Sequence, residues 1–168
     1  MLTPVHVPVT PNESHFVRFR DRVRARTGRG ELFVFVVGDE RFAVDVRAVE
    51  EVLEAPEIQP IPGSAPAVAG AARYAGQVMA VVAAGPLLGV EGGDPRSVLV
   101  MRRGTDRLGL LVDDVDDVAE IELLELSNPP YEADEFLLAV HWDGIALTSV
   151  LDARAVVAAA AAAVRGTR

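Results

Sequence analysis

From Leu32 onward the chain is a succession of short runs of β-branched and aromatic residues, each cut off within a few positions by a glycine-containing turn. That spacing suits strands and hairpins and leaves no room for long helices before the C-terminus. The first case is the clearest. Leu32-Phe33-Val34-Phe35-Val36-Val37 runs into Gly38-Asp39, and Arg41-Phe42-Ala43-Val44-Asp45-Val46 then alternates with period two, which predicts an antiparallel hairpin. A turn of helix follows around Arg47 to Val49. Glu51-Val52-Leu53-Glu54 is extended up to Pro56, and Pro60, Pro62, Gly63, Ser64 and Pro66 mark a loop. Val68 to Tyr74 and Gln77 to Ala83 then flank an Ala75-Gly76 turn.

The second half repeats the scheme after a connector rich in glycine, Gly85 to Pro95. Ser97 to Met101 and Leu108 to Val112 bracket a charged turn. Val115, Val118 and Ile121 carry a further run through acidic residues. Asn128-Pro129-Pro130 makes a loop, and Phe136 to Trp142 and Ile145 to Val150 form a last hairpin about Asp143-Gly144. The expectation is an all-β body of two small units, about residues 31–84 and 96–150. Each is too small to bury much alone, so the two pack together. From Leu151 the pattern becomes helical, and the Ala155 to Ala163 tract places a C-terminal helix at about 151–165, ended by Gly166.

Residues 1–30 differ in character and in charge. Pro4, Pro8 and Pro11 alternate with valines as in an extended arm. Asn12 then caps a short helix in which Phe16, Phe19 and Val23 make an apolar stripe beside Arg18, Arg22 and Arg26. This arm holds six arginines against Glu13 and Asp21, a local +4, whereas residues 31–168 hold ten arginines against 23 acids; together they give the net charge of −9. The stripe suits docking on the chain's own acidic body, and the arginines suit contact with a partner such as nucleic acid or an anionic surface.

The acidic balance argues against nucleic acid as the main ligand of the body, because phosphate neutralisation needs clustered cations. With no cysteine in the chain, disulfides, thiolate zinc sites, iron–sulfur clusters and cysteine nucleophiles are excluded together. No apolar stretch is long enough to span a bilayer and no secretory signal pattern opens the chain, so the expected location is cytoplasmic. Asp113, Asp114, Asp116 and Asp117 form the densest acid cluster, but the intervening Val115 and the absence of calcium-loop spacing favour a charged strand edge over a metal site. His6, His15 and His141 have no metal-ligand spacing, and no serine sits in a nucleophile elbow. Gly104 and Gly109 read as turn and packing glycines. No enzyme, metal or cofactor is expected.

The ordered segments from Leu32 to about Val156 resemble the CheW-like domain, the adaptor that couples chemoreceptors to their histidine kinase. The resemblance rests on the opening hairpin Phe33 to Val46, on Val49-Glu50-Glu51-Val52, on Ile61-Pro62-Gly63 followed by Gly70, on Leu108 to Val118, and on Asn128-Pro129-Pro130 and Leu151-Asp152 in order. It implies two five-stranded SH3-like barrels on a shared apolar core, no catalysis, and two partners: the cytoplasmic tip of a chemoreceptor and the regulatory domain of a CheA-type kinase. Val49, Glu51 and Gly70 map onto family positions linked to those contacts. Where the family carries asparagine, any residue, arginine and glycine, this chain has Arg73-Tyr74-Ala75-Gly76, so the arginine position is Ala75. Arg73, two residues earlier, is expected to point to the same strand face as position 75 and to substitute in part. Ala80, Ala83 and Ala84 also replace a usual proline and an aspartate–leucine pair. The resemblance thus implies an adaptor with an altered surface at Arg73 and Ala75, or an accessory homologue that binds receptors without coupling the kinase. The residue types leave alternatives open, since Val49 also suits a core, Gly70 a bulge and Glu51 a solvated strand.

Overall fold

The computed structural model of the protein describes residues 30–121, 126, 127 and 136–166. The basic arm, with Arg18, Arg22 and Arg26, and the Asn128-Pro129-Pro130 loop lie outside these residues.

Every expected hairpin forms. Strands β1 (Gly30–Val37) and β2 (Glu40–Asp45) pair antiparallel from Leu32↔Asp45 to Val37↔Glu40, with Gly38 at a φ of 61° in the turn. A single 3-10 turn at Val46–Ala48, capped by the Asp45 carboxylate, leads into β3 (Val49–Glu54). β4 (Val68–Tyr74) and β5 (Gln77–Ala83) form the second hairpin, β6 (Ser97–Arg103) and β7 (Asp106–Val112) the third, and β9 (Leu137–Trp142) and β10 (Leu147–Leu151) the fourth. β8 (Asp114–Ile121) stands alone. A short helix α1 (Ala84–Leu88), in the stretch read as a connector, ends at Gly89 with a left-handed φ of 73°. The C-terminal helix α2 (Ala153–Arg165) starts where Asp152 accepts the backbone N–H of Arg154 and Ala155, and it buries Val156, Val157 and Ala160.

The strands assemble into two five-stranded sheets, ordered β8-β1-β2-β10-β9 and β3-β6-β7-β5-β4. This corrects the division of the chain into successive halves at 31–84 and 96–150. The first sheet takes its strands from both ends of the body, and the second takes all of its strands from between Val49 and Val112. Hairpins are set by local turn residues, whereas the choice of sheet depends on long-range pairing, which periodicity does not carry. Both sheets follow one plan: a central hairpin, a lone strand on one side and an outer hairpin joined in parallel on the other. Each also closes on itself alike. The segment after the lone strand bridges back to the outer hairpin, as Gln59↔Ala71 in one sheet and Ser127↔Val140 in the other.

Each sheet encloses a small apolar cluster, Leu32, Val34 and Leu138 in one and Met79, Val81 and Val98 in the other. The largest core lies between them and is shared. It joins Phe35, Phe42 and Val44 to Val82, Leu99 and Leu110, and α2 covers it with Val156 and Ala160. Phe35 and Phe42 stack within it at 5.7 Å between ring centres. Gly109 is packed so closely that a Cβ there would lie 2.7 Å from Val98 Cγ1, and Gly104 occupies a turn with a φ of 63°.

The acid cluster resolves into separate duties at the edge strand β8. Asp113 Oδ2 accepts the backbone N–H of Gly38 and of Gly93, both at 2.7 Å, which fastens the β1–β2 turn and the glycine-rich connector to the end of β7. Asp114 accepts the N–H of Val115, and Asp116 pairs with Arg41 at 3.2 Å. No three histidine or acidic side chains among the described residues converge on a common metal position.

Candidate functional site

Two bulges shape the second sheet where the candidate residues lie. Val49 pairs with Met101 and Glu51 with Val100, so Glu50 is an extra residue on β3. A bulge of this kind turns one side chain out of the alternation. Here it aims Glu50 across the end of the barrel, where its carboxylate accepts three charge-assisted or hydroxyl hydrogen bonds: from Arg102 Nε at 2.6 Å, Arg107 Nε at 2.8 Å and the Tyr74 hydroxyl at 2.8 Å. Arg102 is the last but one residue of β6, Arg107 the second of β7, and Tyr74 ends β4. The Arg107 guanidinium also lies 5.5 Å from the centre of the Tyr74 ring. The Tyr74 hydrogen bond, then that of Arg107 and to a smaller extent that of Arg102, hold the Glu50 carboxyl down to about 2 against the opposing effect of desolvation. The same bond raises the Tyr74 phenol above its ordinary value.

This cluster joins the two strand segments that carry Glu51 and Arg73. Glu50 lies between Val49 and Glu51 in sequence, and Tyr74 lies between Arg73 and Ala75, so one hydrogen bond ties the two candidate pairs across sheet edges that the strand order places farthest apart. Glu51 is exposed, as are Arg73 and Ala75, whereas Val49 is half-buried against the shared core. Gly70 is buried and takes no direct part in a surface. Its φ is 149°, and a Cβ there would fall 2.2 Å from the Gln59 carbonyl oxygen. What Gly70 permits is the approach of the proline-rich loop, held by reciprocal 2.9 Å backbone bonds between Gln59 and Ala71.

Ala75 is not a strand residue. It has a φ of 51° and Gly76 one of 76°, the positive pair that a two-residue hairpin turn requires. The expectation that Arg73 shares a face with position 75 is therefore corrected: alternation ends with β4 at Tyr74, and the turn sends the next side chain elsewhere. Arg73 instead stands opposite Val78, which is 76% exposed. A groove lies on each side of this hairpin, and Val78 borders both. One, of about 270 Å³, is lined by Pro56, Glu57, Gln59, Ala71 and Arg73. The other, of about 370 Å³, lies against the end of α2 and is lined by Tyr74, Gln77, Arg107, Val164 and Arg165.

Glu50, Arg102, Arg107 and Tyr74 were not singled out from the sequence, because their meeting depends on the bulge and on barrel closure. The signal present is slight: two adjacent glutamates in an otherwise alternating strand, where one must break the period.

Residues 31–161 match the CheW-like domain family. The chain is 31% identical over 112 residues to Chemotaxis protein CheW of Rhizobium meliloti (strain 1021), which covers 65% of this chain and 72% of that protein. Its fold is that of the scaffolding protein TtCheW from Thermoanaerobacter tengcongensis, with a TM-score of 0.66 and 20% identity over 74% of this chain and 89% of that one. Two interleaved five-stranded sheets on one core and a family match that spans nearly the whole described body lead to one assignment: the chain belongs to the CheW-like domain family.

Proposed function

We propose that the chain is a non-catalytic adaptor that couples the cytoplasmic tip of a chemoreceptor to the regulatory domain of a CheA-type histidine kinase. Family membership supports the adaptor class, as does a relative whose name assigns it to chemotaxis. The observation that supports the reading at particular residues is the Glu50–Tyr74 bond, which joins the strand segments that carry Glu51 and Arg73 near two open grooves, one lined by Tyr74 and the other by Arg73. Such a surface acts by linked binding. Each partner held on the adaptor raises the effective concentration of the other, without any chemical step. The test is co-purification of the chain with a receptor signalling tip and with a kinase regulatory domain. Retention of both supports coupling, and retention of neither overturns it.

A second reading has its own observation. The family's arginine position is Ala75, at the exposed tip of the β4–β5 hairpin, and alanine offers none of the five guanidinium donors. An accessory homologue would hold receptor tips and leave the kinase unbound, and retention of the receptor alone in the same experiment selects it.

A further inference from the structure

Trp142, Ile145 and Leu147 form an exposed apolar cluster on the β9–β10 hairpin, with 61, 88 and 47% of their surfaces accessible. Trp142 and Leu147 are direct cross-strand partners and so share a face. Val140, two residues before Trp142 on that face, belongs to the shared core. The apolar face that covers the core therefore continues beyond it into solvent. Several large apolar side chains exposed side by side mark an interaction surface, whereas single ones do not.

The surrounding end of the first sheet is acidic. Asp39 lies in the β1–β2 turn and Glu40 opens β2, and β10 begins beside them because Arg41 pairs with Thr148. Asp114, opposite Val36, opens β8 with Asp116 close behind, and Asp143 opens the β9–β10 turn. Among the described residues, the basic groups at this end are Arg41, paired with Asp116, and His141.

The chain itself carries a segment of complementary chemistry. Residues 1–29 contain six arginines around the apolar stripe of Phe16, Phe19 and Val23, and they lead directly into Gly30, the first residue of β1. From Gly30 to the acidic end is the length of β1, about 23 Å at the rise of a strand. Residues 12–27 coiled as a helix extend about 24 Å, so the segment reaches.

From this complementarity and reach we propose that the arginine-rich N-terminal segment docks in cis on the acidic end of the first sheet. Phe16, Phe19 and Val23 cover Trp142, Ile145 and Leu147, and arginines lie over the flanking carboxylates. The proposal is independent of the adaptor reading, which concerns the second sheet.

Trp142 is the only tryptophan in the chain, so its fluorescence reports the patch without a label. Three full-length proteins are compared at several concentrations: the unaltered chain, Phe16→Asp with Phe19→Asp, and Arg18→Glu with Arg22→Glu and Arg26→Glu. In the unaltered chain Trp142 is expected to emit at shorter wavelength and to resist acrylamide quenching at every concentration. Both variants are expected to lose that protection while their circular dichroism stays unchanged. Equal quenching in all three proteins overturns the proposal. So does protection that survives in both variants. Protection that disappears on dilution also overturns it, because it assigns the patch to a second copy of the chain.

Discussion

The Tyr74 hydroxyl donates a 2.8 Å hydrogen bond to the Glu50 carboxylate, joining the last residue of β4 to the bulge of β3. These strands are the two edges of the second sheet, so the bond fastens the barrel end on which the candidate surface stands. Its stability should depend on pH at both extremes. Glu50 titrates at about 2 in the folded chain against an ordinary 4.5, so its contribution is complete above pH 4.5 and is lost as pH falls toward 2. Tyr74 is raised above 10.0, so its contribution is complete below pH 10 and is lost as pH rises through the raised value. Melting curves of the unaltered chain and Glu50→Gln should therefore differ most between these limits and converge toward pH 2. A difference that stays undiminished from pH 4.5 down to pH 2 would contradict this role for Glu50.

Asp113 ties three segments through a single oxygen. Its replacement by alanine leaves the N–H groups of Gly38 and Gly93 without their acceptor, at a cost of about 1–3 kcal/mol. Urea denaturation measures it. A loss near zero would show that water replaces the carboxylate fully at both sites.

Gly70→Ala should be more damaging than its small volume suggests. The added carbon meets the Gln59 carbonyl, part of the backbone, and the φ of 149° is itself unfavourable for alanine, so a loss of about 2 kcal/mol or more is expected. Displacement of the loop should also weaken partner binding. Thermal unfolding and partner titration read the two effects separately.

Ala75→Arg restores the family's side chain at a position whose backbone already carries a non-glycine residue at positive φ. The fold should therefore tolerate it. In the accessory reading, the variant gains affinity for the kinase regulatory domain by up to roughly thirtyfold, the equivalent of about 2 kcal/mol. Unchanged kinase affinity would count against the loss of the arginine as the reason for any weak coupling.

The hairpins were legible because their information is local: Gly38-Asp39, Ala75-Gly76 and Asp143-Gly144 each sit between runs of matching period. The pairing of β6–β7 with β3 and β5, and of β1–β2 with β8 and β10, was not, because long-range register leaves no mark on the period of a single strand. Of the candidate surface, Glu51, Arg73 and Ala75 are named through family resemblance, and all three are exposed. Glu50 was not, because a bulge reverses the side-chain alternation from which facing is read. Gly70, named as a contact position with a bulge as the alternative, is buried beside a bulge and admits the Gln59 loop beneath the surface.

The adaptor assignment is tested most directly by calorimetric titration of a receptor signalling tip and a kinase regulatory domain into the unaltered chain and into Glu51→Ala with Arg73→Ala. Both side chains are exposed, so the substitutions should change stability by less than about 0.5 kcal/mol each. The expected result is binding of the receptor tip by the unaltered chain and a loss of about tenfold or more in the variant. Binding of neither partner by the unaltered chain, or equal affinities for both partners in the two proteins, would contradict the assignment of this surface.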